Sequence, residues 1–292
     1  MSNKPHTLPN LKTKAYGGAW SIQDDETLQT YSDWQFKKKD TQEFCHNYKD
    51  WFIAGHELNG IESYNDICFT NGTTETFDKF YHRHAQRRLR LFKGEYFYHQ
   101  IMSRLYKDFE WIENDDIRPY DVLVVSCPFS DTGNKPVGLN NILEQCNDKM
   151  VPVCLDLAYI NISKPVNIDL SLDCIEDITT SLSKVFPVEH NRIGIRLQKN
   201  KIDDSTYAYN QNEYVNHNSV SIGQHMIENF TNNFITEKYA QRQIDECNSL
   251  SVTPSQSVIF GIDTVNKYSE YNRGGASNRL CFSRVWDNRA NV

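Results

Sequence analysis

Asp121-Val-Leu-Val-Val-Ser126 is followed by the Pro/Gly/Asn/Lys loop that opens Cys127-Pro-Phe-Ser-Asp-Thr-Gly133, by an amphipathic stretch from Leu139 to Asn147, and by Val151-Pro-Val-Cys-Leu-Asp-Leu157. Two short apolar runs separated by a helix-length amphipathic segment form a βαβ unit, whose strands are buried on both faces and lack polar alternation. The same rhythm extends outward from about Asp66 to Lys199. It predicts strands at Asp66-Ile-Cys-Phe-Thr70, Arg88 to Phe92, Phe109 to Ile112, Ile175 to Ser181 and Ile193 to Leu197, with helices from Thr74 to Arg83 and Tyr98 to Tyr106. The predicted class is α/β, a mostly parallel sheet flanked by helices, with a smaller α+β domain following it.

Upstream of this block the chain has a Gly17-Gly18 turn and an aromatic-rich helix from Thr41 to Phe52. Downstream come a polar Asp/Ser/Tyr/Asn loop, one long helical pattern from Gly223 to Cys247, and a last strand beginning at Arg279. The expected division is an N-terminal arm over 1–40, a large domain over 41–200 and a small C-terminal domain over 201–292.

Composition sets the outer bounds. The chain has 292 residues, 39% of them hydrophobic, with 13 Gly and 9 Pro, which excludes collagenous and wholly disordered chains. A net charge of −7 argues against a broad nucleic-acid footprint. The basic run from His82 to Arg90 is interrupted by apolar residues and reads as a helix face entering a strand. The start, MSNKPHTLPN, has no apolar leader and no run is long enough to span a bilayer, so a cytoplasmic protein without a membrane partner is expected. Eight cysteines without a C-x-x-C pair read as buried thiols, and neither His56-Glu57 nor His82-x-His84 has companion ligands, so no metal site is expected.

In open α/β proteins ligands bind beyond the carboxyl ends of parallel strands. Asn71-Gly-Thr-Thr-Glu75 opens a helix there, either as a plain capping segment or as a phosphate cradle of free N–H groups. Asp156 ends an apolar strand, either satisfied by its own loop or paired with a cationic heterocycle. Lys184 follows a hydroxyl-rich strand, and Arg192 heads the next. Ser181-Leu-Ser-Lys184 is also a literal S-x-x-K, but the order relative to Ser130-Asp131-Thr132 is reversed from that of serine β-lactamases and no K-T-G occurs. Walker A and G-x-G-x-x-G are absent.

Taken in order, these segments resemble the class I/II aminotransferases, the fold-type I pyridoxal-phosphate (PLP) enzymes. "TNGTTETF" (70–77) is similar to their "tnGateal", "CPFSDTG" (127–133) to "NPNNPTG", "DLAY" (156–159) to D-x-x-Y, and "SLSKVFPVEHNRIG" (181–194) to "SfSKxfglxGxRiG". The likeness covers about residues 66 to 198, and the chain is short for that family. It implies the PLP transferase fold of type I and a PLP cofactor. It makes Lys184 the residue that forms the Schiff base and shuttles the Cα proton, as a desolvated amine can. Asp156 would pair with the pyridine nitrogen and Tyr159 with the ring oxygen. Gly72, Thr73, Ser181 and Arg192 would hold the phosphate, and Tyr96, with Tyr98 as the alternative, would stack on the ring. Arg279 would bind the substrate α-carboxylate, and Tyr31 would cross to the other subunit of a homodimer.

Departures from the pattern carry their own expectations. Ser130 stands where the family has an asparagine that contacts the ring oxygen. No Lys or Arg lies between Ile202 and Glu237, where aspartate-type members carry a cation for a distal carboxylate; Glu213 lies there instead and suggests a donor with a distal amine, such as ornithine or lysine. The implied reaction is amino transfer from an amino acid to a 2-oxo acid. PLP-dependent elimination or decarboxylation is the alternative, and a non-catalytic binding protein on the same fold is a third reading.

Overall fold

The computed structural model describes residue 11 and residues 13–287. The first ten residues of the expected arm, with the leader region, and the last five of the expected small domain lie outside the described residues. Twelve strands and eight helices are present among those described: α1 Asp25–Asp33, α2 Thr41–Ile53, β1 Glu57–Asn59, β2 Asp66–Thr70, α3 Thr73–Arg83, β3 Arg88–Leu91, α4 Phe97–Met102, β4 Phe109–Trp111, β5 Asp121–Ser126, α5 Leu139–Asp148, β6 Val153–Asp156, β7 Asn167–Asp169, β8 Ile175–Ser181, β9 Gly194–Gln198, α6 Ser205–Gln211, α7 His217–Asn229, α8 Phe234–Leu250, β10 Thr253–Pro254, β11 Phe260–Asp263 and β12 Asn278–Cys281.

The central sheet has seven strands in the order β2-β9-β8-β6-β5-β3-β4, and every pairing is parallel except the two that β9 makes. Both faces are covered, as an apolar run without alternation requires. Val122 and Val124 of β5 face Phe77, Phe80 and Tyr81 of α3, whereas Leu123 and Val125 face the layer of α2, α5 and α7. Successive residues of a strand point to opposite faces, so one hexapeptide supplies two cores. Asp caps hold several of the covering helices: Asp24 on α1, Asp40 on α2 and Asp204 on α6 each accept backbone N–H bonds, worth about 1 kcal/mol apiece.

Strand positions in the central block agree with the sequence pattern to within two residues. The downstream helix does not. The single pattern from Gly223 to Cys247 is two helices, α7 and α8, broken at Phe230, which is extended at φ −132°, ψ 141°. Tertiary contacts pin the break: the Phe230 carbonyl accepts from Trp51 Nε1 at 2.6 Å, and Asn232 Nδ2 donates to the Phe52 and Ala54 carbonyls. The expected polar loop contains α6, and the expected arm contains α1. The chain ends in a three-stranded antiparallel sheet, β10-β11-β12, backed by α8. All eight cysteines are buried and free. Among the described residues no helix is long and apolar enough to cross a membrane.

Candidate active site

Strands β2, β8, β6 and β5 run the same way, so their carboxyl ends share one edge of the sheet, and antiparallel β9 begins at that edge. Register then sets the neighbours. Asp156 pairs with Ser126 on one side and Thr179 on the other, while Gly194, just after Arg192, pairs with both Thr70 and Ser181. A cleft of about 510 Å³ opens there, lined by Thr73, Tyr96, Ser130, Asp156, Tyr159, Ser181, Lys184 and Arg192. Residues spread over 120 positions of the chain meet because five segments end at one edge.

At one end of the cleft, α3 starts without a side-chain cap; its N-cap is Gly72 at φ +75°. A Cβ on Gly72 would lie 2.6 Å from Arg192 Nη2, so the missing side chain is what lets the guanidinium approach. Arg192 itself sits at φ +55°, a conformation that a non-glycine residue holds only when its surroundings impose it. Its Nη2 donates to Thr74 Oγ1 at 3.4 Å. Ser181 Oγ donates to the Ile193 carbonyl at 2.8 Å and accepts from Ser183 N at 3.1 Å, which locks the turn into Lys184. The Gly72 N–H is donated to the Thr70 carbonyl at 2.8 Å, so what this end offers an anion is the α3 N-terminus from Thr73 onward and the exposed Arg192.

At the other end lies Asp156, buried, with Oδ1 accepting from Ala158 N at 2.9 Å and Oδ2 3.8 Å from His99 Nε2. Tyr96 lines the cleft; Tyr98 does not, its hydroxyl being bonded to Asp78. Tyr159 is buried edge-on to Phe260 at 5.1 Å. Ser130 Oγ is buried without a hydrogen-bond partner. Lys184 Nζ, on a 3-10 turn between these ends, donates to the Ala19 carbonyl at 2.7 Å. The N-terminal segment therefore lies across the lysine. Arg279 lies on β12, buried over the Phe260 ring at 4.3 Å, with Nη1 donating to the Ser130 carbonyl. It lines a wider opening of about 1290 Å³ that also contains Lys184.

Two expected residues are elsewhere. Tyr31 is on α1, its hydroxyl donating to Asn191 Oδ1 at 3.3 Å beside Arg192, and it does not line the cleft of its own chain. Glu213 follows α6, where its carboxylate accepts from Thr41 Oγ1 at 3.3 Å and lies 3.9 Å from His217 Nδ1. Glu213 does not line the cleft of its own chain, its carboxylate being tied to Thr41 at the start of α2. Sequence reading missed His99, Glu95 and Arg273. His99 is three residues after Tyr96, one helical turn along α4, a spacing that could have flagged it. Glu95 is fully buried and accepts from Ser126 N and Oγ, both at 2.7 Å, and from Tyr96 N at 2.6 Å, which joins the start of α4 to the end of β5. Burial pushes its carboxyl up.

No protein-family model matches the chain, and no curated protein sequence matches it. Solved structures do. A PLP-bound C-S lyase from Staphylococcus hominis superposes with TM-score 0.68 at 10% identity, over 94% of this chain and 89% of that one. This chain has the fold of the fold-type I PLP enzymes. An aromatic aminotransferase from Pyrococcus horikoshii matches at 0.66 and 10% identity over 93% and 91% of the two chains. An aspartate aminotransferase from Thermus thermophilus, solved with maleate, matches at 0.65 and 12% over 97% and 90%. The shared architecture spans nearly the whole of each chain.

Proposed function

We propose that this chain is a PLP-dependent enzyme acting on amino acids and that its reaction is transamination to a 2-oxo acid. The observation that carries the reading is the convergence of Lys184, Asp156 and Arg192, from the turn after β8, the end of β6 and the approach to β9, in one cleft. The residues fit the cofactor: the cradle that a Gly72 Cβ would fill suits its phosphate, and Ser130 Oγ is an unpartnered buried polar atom on a residue that lines the cleft.

When bound, PLP supplies an electron sink for a carbanion at the substrate Cα. The chain does the rest. Arg192 as a charged fork and the Thr73 N–H and hydroxyl would hold the phosphate, with Ser181 joining by turning its hydroxyl from the Ile193 carbonyl and Gly72 giving room by its missing side chain. Asp156 would face the ring nitrogen with a buried side chain at the end of β6. Tyr96 would cover the ring face, and Tyr159 and Ser130, which line the same cleft, would donate to the ring oxygen. Lys184 would be the amine that holds the group's aldehyde and, as a free amine, would move the proton at Cα. Arg279 fixes the α-carboxylate, so that the Cα–H faces the amine. A homodimer in which Tyr31 reaches the neighbouring cleft belongs to the same proposal, as does a division into a large domain over 41–200 and a small one over 201–292.

Absorption spectra of the purified protein with PLP test this, beside Lys184→Ala. A lysine-dependent visible band that bleaches with an amino acid and returns with a 2-oxo acid supports transamination. Release of ammonia, thiol or CO₂ without an acceptor assigns lyase or decarboxylase chemistry, since Lys184 and Asp156 serve those reactions equally. Absence of the band overturns the enzyme reading and favours a binding protein.

A further inference from the structure

Four cations line the wider opening: Lys184, Arg192, Arg273 and Arg279. The reading above gives the first, second and fourth a partner. Arg273 has none. Its guanidinium is buried, lies 4.0 Å over the Phe97 ring, and its Nε has no hydrogen-bond partner. Among the described residues no carboxylate comes within ion-pair distance of Arg273 or of Arg279. The acid that acts on both is Asp131, buried, with Oδ2 accepting from Ser277 Oγ at 3.2 Å and Oδ1 left unpartnered. Glu189 and His190 also line the opening. Burial and then the charge of Arg279 pull Arg273 down to about 9, against the opposing pull of Tyr159, Asp131 and Tyr96.

The loop that presents Arg273 is built rather than slack. Asn272 Nδ2 donates to the Gly275 carbonyl at 3.2 Å and the Ser277 carbonyl at 3.0 Å, its Oδ1 accepts from Gly274 N at 2.8 Å, and Gly275 packs so closely on Asp131 that a Cβ would lie 2.2 Å from Oδ2. A second guanidinium held rigidly in the same opening as the α-carboxylate arginine is a receptor for a second anion.

We propose that Arg273 is a specificity-determining residue that receives an anionic side chain, so that the amino donor carries a second negative charge, a carboxylate or a phosphate. This rests on the amino-acid enzyme reading and takes the place of the distal-amine expectation attached to Glu213.

The test compares wild type, Arg273→Gln and Arg273→Lys, loaded with PLP, against L-aspartate, L-glutamate, O-phospho-L-serine, L-alanine and L-ornithine. Wild type prefers an acidic donor by about 100-fold in kcat/KM, the scale of a lost buried charge-assisted bond. Arg273→Gln abolishes the preference, mainly through KM, leaves L-alanine within about threefold, and Arg273→Lys restores part of it. The favoured acidic donor names carboxylate or phosphate as the source. Equal wild-type rates on alanine or ornithine, or a uniform loss on all donors in Arg273→Gln, overturn the proposal and leave Arg273 as a clamp on Phe97. Calorimetric titration with succinate against butyrate reads the same residue without turnover. Tighter succinate binding lost in Arg273→Gln supports the anion site even if no PLP band forms, and equal binding overturns it even if one does.

Discussion

His99 Nε2 lies 3.8 Å from Asp156 Oδ2, while the opposite ring nitrogen, Nδ1, meets the Tyr81 hydroxyl at 2.7 Å. The imidazole is fully buried, packed edge-on against Phe77 at 4.5 Å, and does not line the cleft. At 3.8 Å, beyond hydrogen-bond length, it bounds the Asp156 carboxylate by packing. His99→Phe keeps the ring and removes both nitrogens. The buried Tyr81 hydroxyl then loses its partner, which lowers stability by about 1–3 kcal/mol, and the dissociation constant for PLP rises about tenfold. Thermal unfolding and a PLP absorbance titration check the two effects, and unchanged PLP affinity rules out positioning.

Gly72 and Arg192 depend on each other. Gly72→Ala places a methyl group 2.6 Å from Arg192 Nη2 and a side chain at φ +75°. The backbone penalty is about 1–2 kcal/mol, and displacement of the guanidinium weakens phosphate binding further. The expected outcome is a rise in the PLP dissociation constant of at least about tenfold with the protein still folded, read by absorbance titration and circular dichroism.

Glu95 holds Tyr96 in place through three short bonds to β5 and α4. Glu95→Ala leaves the buried Ser126 N–H without its acceptor and frees the α4 start, a loss of about 2–4 kcal/mol in urea unfolding. Retained stability would show that the carboxylate carries none of that load.

Asp131 gives the protein a pH dependence of definite sign. Burial pushes its carboxyl up to about 6, whereas in the unfolded chain an aspartate titrates near about 4. Between those values the folded state holds more protons than the unfolded one, so this group's contribution to stability falls as pH rises, by about 3 kcal/mol at most, and stays low above pH 6. Asp131→Asn removes the dependence. Its melting temperature should exceed that of wild type by about 2–6 °C at pH 7.5 and equal it below pH 4, measured by calorimetry across the range.

The positions of β5, β6 and β8 were readable because a strand buried on both faces must be apolar throughout, and little else in a chain of this composition looks like Asp121-Val-Leu-Val-Val-Ser126. Lys184, Asp156, Gly72 and Arg192 were readable because each stands at the junction of a strand with a loop, where polar residues have no packing reason to be. Arg273 was not. A loop arginine in Tyr271-Asn-Arg-Gly-Gly275 looks like a solvated charge until the loop is folded over Asp131. Nor was the break between α7 and α8, since Trp51 and Phe230 are 179 residues apart and no local pattern reports their bond.

The chain's own sequence thus determined the alternation of strands and helices, the burial of its cysteines and the identity of the residues gathered at the strand ends, because local periodicity and side-chain chemistry are properties of short segments. Tertiary structure alone decided which way β9 runs, that Arg192 therefore faces Gly72, that Glu213 bonds to α2 and stays out of the cleft, and that a second arginine shares the opening with Arg279. Those are matters of register and of long-range closure. They are settled by which apolar faces bury against one another, and that choice is made by the whole core at once and by no single stretch of chain.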